Sequence, residues 1–220
     1  MQPGRRTVAA ELVKALQIVL RQPVAITVAG RTDRGVHALG QVVSYDGPLP
    51  RLRGVNAVLP DEIAVLSAEE APDGFSARHD ARSRSYRYRV LAREEPSPFE
   101  LHRALWWPYP LDEDALGACA AALPGTHDFR AFTPAETYHV RFERDVLSAG
   151  WERAGAILEF RIEADTFMRQ MNRVLVGTML EVAAGRRSVE EFAELLRGAP
   201  RSDAGRTAPA HGLYLESVRY

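Results

Sequence analysis

Gly30-Arg31-Thr32-Asp33-Arg34-Gly35-Val36-His37-Ala38-Leu39-Gly40-Gln41 is the stretch on which the reading of this 220-residue chain turns. Just before it, Val24-Ala25-Ile26-Thr27-Val28-Ala29 is a β-branched apolar run that reads as a buried strand. Gly30 ends that strand, and Gly35 lets the backbone turn back after the loop. The pattern holds a carboxylate, Asp33, on a tight loop at a strand end, with Arg31 and Arg34 close on either side. A neighbouring cation favours the ionised carboxylate, which suits a nucleophile or a base. An Asx-turn aspartate that merely caps a loop has the same residues. On this stretch alone both readings stand.

Upstream, Thr7 reads as an N-cap, and Val8, Leu12, Leu16 and Leu20 recur at helical spacing. Downstream, Gln41 to Tyr45 and Ile63 to Leu66 read as strands, separated by a loop at Pro48 and Pro50. Ser85 to Leu91 alternates, with Tyr86, Tyr88 and Val90 on one face and Arg87 and Arg89 on the other. Glu95-Pro96-Ser97-Pro98 is a loop and a boundary between halves. Leu111 to Leu123 is helical. Strand signals near Val140 to Ala149 and Ile157 to Ala164 are joined by a turn at Arg153-Ala154-Gly155. Met168 to Ala183 predicts a long helix ended by Gly185, and Ser188 caps a shorter one running to Arg197. Leu213 to Arg219 is a last strand. Strands outnumber helices and hairpins dominate, which predicts an α+β fold with a mostly antiparallel sheet.

Composition excludes several classes. Hydrophobic residues make up 46% of the chain and charged residues 26%, as in a soluble protein with a packed core. No apolar run reaches the length of a membrane span, and no signal peptide opens the sequence. The single cysteine, Cys119, excludes an internal disulfide and a cysteine metal cluster, which fits a reducing cytoplasm. It lies in an apolar helical stretch and reads as a small buried hydrophobe. The six histidines show no metal-ligand spacing, so no metal is expected. Net charge is −1, and the cations are almost all arginine, Lys14 being the only lysine. Arginine suits phosphate and stacked-base contacts. Binding to RNA would require segregated charge: a basic cleft balanced by acidic faces such as Asp112-Glu113-Asp114 and Glu190-Glu191.

The block from Arg31 to Gln41 resembles the signature of the TruA family of tRNA pseudouridine synthases. The resemblance extends in the same order through Asn56-Ala57-Val58-Leu59-Pro60, Phe75-Ser76-Ala77-Arg78 and Arg84-Ser85-Tyr86-Arg87-Tyr88. It continues through Gly125-Thr126-His127-Asp128-Phe129, Phe167-Met168-Arg169-Gln170-Met171-Asn172-Arg173 and Ala208-Pro209-Ala210-His211-Gly212-Leu213-Tyr214-Leu215. It implies the pseudouridine-synthase fold, in which two pseudo-duplicated halves share one sheet around a central basic cleft. Here the halves would be 1–98, carrying the catalytic aspartate loop, and 99–220, completing the cleft. It further implies isomerisation of uridine to pseudouridine in the anticodon stem-loop of tRNA, near positions thirty-eight to forty. The enzyme would need no cofactor and would work as a cytoplasmic homodimer, one tRNA spanning both subunits. The family begins with an extra strand before the region matching Gln2 to Val8. The expectation is that Met1 is an internal methionine of a longer natural chain; the alternative is a protein that lacks the strand.

The resemblance assigns roles residue by residue. Asp33 is the catalytic carboxylate. The target base must leave its stack to be reached; Tyr86 matches the tyrosine that stacks on it, and Arg31 the arginine that takes its place. Arg173, on an otherwise largely apolar helix, matches the arginine paired with the catalytic aspartate. Leu213 matches an apolar residue lining the base pocket. Each has a plainer alternative: a core tyrosine for Tyr86, a solvated loop arginine for Arg31, a surface arginine for Arg173, simple strand core for Leu213. His37 reads as a hydrogen-bonded structural residue rather than a base. A tRNA-binding protein that kept the fold without the chemistry is the competing class. It would need none of the set Asp33, Tyr86, Arg31 and Arg173.

Overall fold

A computed structural model describes residues 6–137 and 139–220. The expected extra strand ahead of Gln2 to Val8 concerns positions outside them. In chain order the described elements are α1 (Val8–Leu20), β1 (Thr27–Val28), β2 (His37–Ala38), β3 (Val43–Ser44), α2 (Leu52–Val58), β4 (Ser83–Ala92) and β5 (Leu105–Trp107). They continue with α3 (Glu113–Ala121), β6 (Gly125–Asp128), β7 (Glu143–Ala154), β8 (Ile157–Ala164), α4 (Met171–Ala183), α5 (Val189–Leu195) and β9 (Leu213–Arg219). The fold is α+β with a mostly antiparallel sheet. Packing divides it into two units, residues 6–31 with Gln41–Ala81 and Thr32–Gly40 with Arg82–Tyr220.

In the first unit the Thr7 side chain accepts from the Ala10 N–H at 3.2 Å and so starts α1. Leu12, Ala15 and Leu16 of that helix are buried with Val24, Val55 and Leu59 in a small core. The two strands read at Val24 to Ala29 and Gln41 to Tyr45 form as the short antiparallel pair β1–β3, with Thr27 opposite Ser44 and Val28 opposite Val43. The strand expected at Ile63 to Leu66 does not form. The amide of the Asn56 side chain takes the place of a neighbouring strand there. It donates to the Val65 carbonyl at 2.9 Å and accepts from the Val65 N–H at 2.8 Å.

In the second unit the sheet runs β2-β9-β4-β8-β7-β6, with β5 also on β4. All its pairings are antiparallel except β2–β9 and β4–β5. Strand β4 is the axis, and its alternation sorts two environments. On one face Tyr86, Tyr88 and Val90 enter a core with Leu158, Phe160 and Ile162 of β8, Leu213 and Leu215 of β9, and the buried residues of α3 and α4. Cys119 is in this core, where burial pushes its thiol up to about 11. On the other face Arg87 lies directly opposite Arg161, a repulsive arrangement by itself. Two carboxylates resolve it. Glu159 meets Arg87 at 3.0 Å and Arg161 at 2.7 Å, and Glu216 meets them at 3.2 and 3.1 Å. Arg89 joins through Glu159 at 3.4 Å and is held from its other side by Glu100 at 2.8 Å.

The acidic runs expected to balance a basic cleft sit in the first turns of α3 and α5, where they favour the positive helix end. Ser188 and Glu191 close a capping box on α5. Helix α4 begins at Met171, three residues after the expected start, because Gln170 is left-handed at φ 60°. Ten of its thirteen residues are buried, so it is a core helix rather than an amphipathic one. The sheet draws β2 and β4 from before residue 98 and β5 to β9 from after it. We propose the division into halves 1–98 and 99–220 as one of internal duplication, distinct from the two units of packing.

The close approach of the Asp33 loop to β9 depends on Gly40. A Cβ at Gly40 would lie 2.2 Å from the Glu216 carbonyl oxygen, whereas one at Gly150 would meet nothing within 4 Å. Gly40→Ala is expected to destabilise the protein by about 1–3 kcal/mol, the usual cost of forced overpacking, and Gly150→Ala by no more than about 0.5 kcal/mol. Urea unfolding midpoints check this; equal midpoints for the two variants would contradict it.

Candidate active site

The loop carrying Asp33 is tied down along its length. The Asp33 carbonyl accepts from the Val36 N–H at 3.1 Å, closing a turn that Gly35 completes at φ 84°. Strand β2 then pairs in parallel with Tyr214 and Leu215, and the Leu39 N–H donates to the Leu215 carbonyl at 2.8 Å. His37 is held by a 2.9 Å contact of Nε2 with the His102 carbonyl oxygen and by stacking on Tyr214 at 4.6 Å. The carboxylate therefore projects from a loop that cannot drift from β9.

Its partner comes from α4. Arg173 Nη1 donates to Asp33 Oδ2 at 3.0 Å, and Arg173 Nε donates to the Ala208 carbonyl at 2.8 Å. The Arg173 side chain is 15% exposed and that of Asp33 32%. The guanidinium is planar, so fixing Nε on one carbonyl and Nη1 on one carboxylate oxygen leaves it little freedom. The carboxylate keeps its other oxygen and a third of its surface for a reactant.

Tyr86 lies beside this pair. It is 9% exposed, with the Phe167 ring edge-on at 5.0 Å. Burial, reinforced by the negative charge of Asp33 and opposed by Arg84, pushes its phenol up to about 12. Tyr88 is fully buried, its hydroxyl donating to the Pro209 carbonyl at 2.8 Å. Leu213 is 7% exposed in the core, paired in register with Tyr88. Arg31 belongs to the first unit, where it is exposed. Asp33, Tyr86 and Arg173 are thus gathered within the second unit, with Leu213 in the core beneath.

Three features escaped the sequence reading. The Ala208 carbonyl orients Arg173; being backbone, it has no signature, although Ala208 opens a block singled out for Leu213. Phe167 walls one side of Tyr86, and only its place in the Phe167 to Arg173 block marked it. His211 lies among His102, His37 and Arg173, and its imidazole is pushed below the usual range, first by burial and then by the charges of those groups. A carboxylate fixed by arginine, next to a neutral phenol in an apolar wall, can add to or deprotonate a flat ring system held against the tyrosine.

Comparison with known proteins gives a family. A family model described as tRNA pseudouridine synthase matches residues 119–220. The protein named tRNA pseudouridine synthase A of Bacillus subtilis (strain 168) is 42% identical over 227 residues, covering 100% of this chain and 92% of that protein. The protein of the same name from Bacillus velezensis is 41% identical with the same coverage. The one from Gloeobacter violaceus is 41% identical over 225 residues, covering 100% of this chain and 74% of that protein.

The raised Tyr86 pKa fixes the sign of an alkaline effect. The fold holds the neutral phenol, so its contribution to stability is whole below the unfolded value of 10.0 and is lost as pH rises through about 12. Urea midpoints measured from about pH 9 to 11.5 should fall more steeply for the parent than for Tyr86→Phe. Parallel curves would show that the phenol is not held neutral by its surroundings.

Proposed function

The chain belongs to the family of tRNA pseudouridine synthase A, and on that premise we propose that it isomerises uridine to pseudouridine in the anticodon stem-loop of tRNA, at positions thirty-eight to forty. The coarser statement follows from the family: it is an isomerase acting on tRNA. The observation that carries the assignment of the reacting group is the Asp33–Arg173 pair beside Tyr86. A protein that only binds RNA has no use for a carboxylate aimed from a fixed loop by an arginine.

The reaction breaks the bond from uracil N1 to ribose C1′, turns the base, and forms a bond from C5 to C1′. The proton on C5 leaves and N1 ends protonated, so atoms balance with no oxidant or co-reactant. Asp33 supplies the carboxylate, adding to C1′ or C6 or taking the proton from C2′. Arg173 aims that carboxylate through its 3.0 Å contact. The flipped uracil stacks on Tyr86, whose hydroxyl is protonated across the physiological range and available to hydrogen-bond the turning base. Leu213 contributes apolar wall, and Arg31 fills the gap the base leaves in its stack. Arginine contacts to phosphate supply most of the affinity, without regard to sequence. No helix among the described residues is long and apolar enough to cross a membrane, and the site of action we assign is the cytoplasm, as a homodimer spanned by one tRNA.

Asp33→Asn should abolish pseudouridine formation while leaving tRNA binding largely intact, measured by turnover and gel shift on one preparation. Substantial residual turnover removes Asp33 from its role. Tyr86→Phe should still bind the flipped base, whereas Tyr86→Ala should lose about 1–3 kcal/mol of stacking. If both Tyr86 variants match the parent in turnover, the residue is simple core.

A further inference from the structure

We propose that Thr178 of α4 is a positioning residue for the reaction, acting through segment 204–209 and the Arg173 guanidinium on the Asp33 carboxylate; the proposal rests on Asp33 being the reacting group. Helix α4 carries only two charged residues, Arg173 and Glu181. Both face the same segment, and so do Gly177 and Thr178 between them. The spacing 173, 177, 178, 181 is one helix face.

That face and the segment are matched contact by contact. A Cβ at Gly177 would lie 1.7 Å from the Arg206 carbonyl oxygen, so the segment rests directly on helix backbone. The Thr178 hydroxyl, fully buried, accepts from the Gly205 N–H at 3.0 Å while donating to the Val174 carbonyl at 2.7 Å. Glu181 accepts from the Arg206 N–H at 3.0 Å. Two residues on, the Ala208 N–H donates to the Arg173 carbonyl at 3.0 Å, and the Ala208 carbonyl receives Arg173 Nε at 2.8 Å. The Pro209 carbonyl receives the Tyr88 hydroxyl.

The register of the segment along α4 therefore sets where the Ala208 carbonyl stands. That carbonyl sets the plane of the guanidinium, and the plane sets Nη1 against Asp33 Oδ2. Thr178 is the buried point at which the register is fixed. Replacing it by valine keeps its shape and removes the acceptor of a buried N–H, which must find another by moving. Serine keeps the acceptor. Thr178 is 0% exposed, so it touches no RNA, and its effect falls on the chemical step rather than on binding.

The test uses the full chain and an unmodified tRNA transcript, at a temperature where melting curves show every variant folded. The single-turnover rate with enzyme in excess and the tRNA dissociation constant are read for Thr178→Val, Thr178→Ser and Asp33→Asn. The expected result is a drop of about tenfold or more in rate for Thr178→Val, as for ångström-scale misplacement of a reacting group. Affinity should be unchanged and Thr178→Ser should keep most of the rate. A valine variant as fast as the parent overturns the proposal, and so does an equal loss in valine and serine variants together with lost affinity. If the valine variant does not fold, Glu181→Ala removes the neighbouring contact at a half-buried position. A slowed single turnover with intact affinity then supports the proposal and a parent-like rate overturns it. An active Asp33→Asn instead strikes down the assignment of the carboxylate, a failure separate from that of Thr178.

Discussion

Asp33 and Arg173 stand 140 residues apart in sequence and 3.0 Å apart in space, and the arrangement of the larger unit can be read as the means of keeping them so. Each member is anchored to the same part of the chain. The aspartate loop is laced to β9 by β2 and by the Leu39 N–H, and the arginine is clasped by Ala208, a few residues before β9 begins. A partly exposed ion pair contributes about 0–1 kcal/mol in itself. Its importance is positional: one carboxylate oxygen is occupied and the other is presented. Two glycines make the approach possible, Gly40 against the Glu216 carbonyl and Gly177 against that of Arg206. At both places a side chain would collide with backbone, which cannot swing aside.

The sheet behind the pair is built to be stiff. On its inner face Tyr88, Phe160 and Leu215 are fully or almost fully buried against the helices. On its outer face Arg87 and Arg161, which face one another across β4 and β8, are bridged twice, by Glu159 and by Glu216. A chain with 28 cations and 29 acidic residues thus spends many of both on its own sheet. Net charge near zero says little about the charge left for a polyanion, because what matters for RNA is the set of arginines without such partners.

Regular structure was legible where side chains announce it. Thr7 and Ser188 are caps with the expected bonds, and the alternation of Ser85 to Leu91 puts Tyr86, Tyr88 and Val90 on the core face and Arg87 and Arg89 on the other, as read. An arginine on a largely apolar helix demands a partner, so the pairing of Arg173 is legible in the sequence. Illegible features are those made by backbone or by side chains standing in for backbone. Asn56 replaces a strand beside Val65, so an apolar run that looks like a strand is none. Strands β5 and β6 are three and four residues long, too short for a period to show. The segment over α4 works through its own carbonyls and N–H groups, and the glycine beneath it, Gly177, reads as an ordinary helix flaw until Arg206 is seen lying on it.

We propose that this carboxylate, fixed by this arginine, rearranges uridine in the anticodon stem-loop. The direct measurement is mass-spectrometric mapping of pseudouridine, after cyanoethylation, in unmodified tRNA transcripts treated with the protein. The transcripts would carry uridine singly at each of positions thirty-eight, thirty-nine and forty, alongside one with none there. Pseudouridine is expected at those positions and none in the fourth transcript. Pseudouridine elsewhere in the tRNA, or in none of the transcripts, would contradict it.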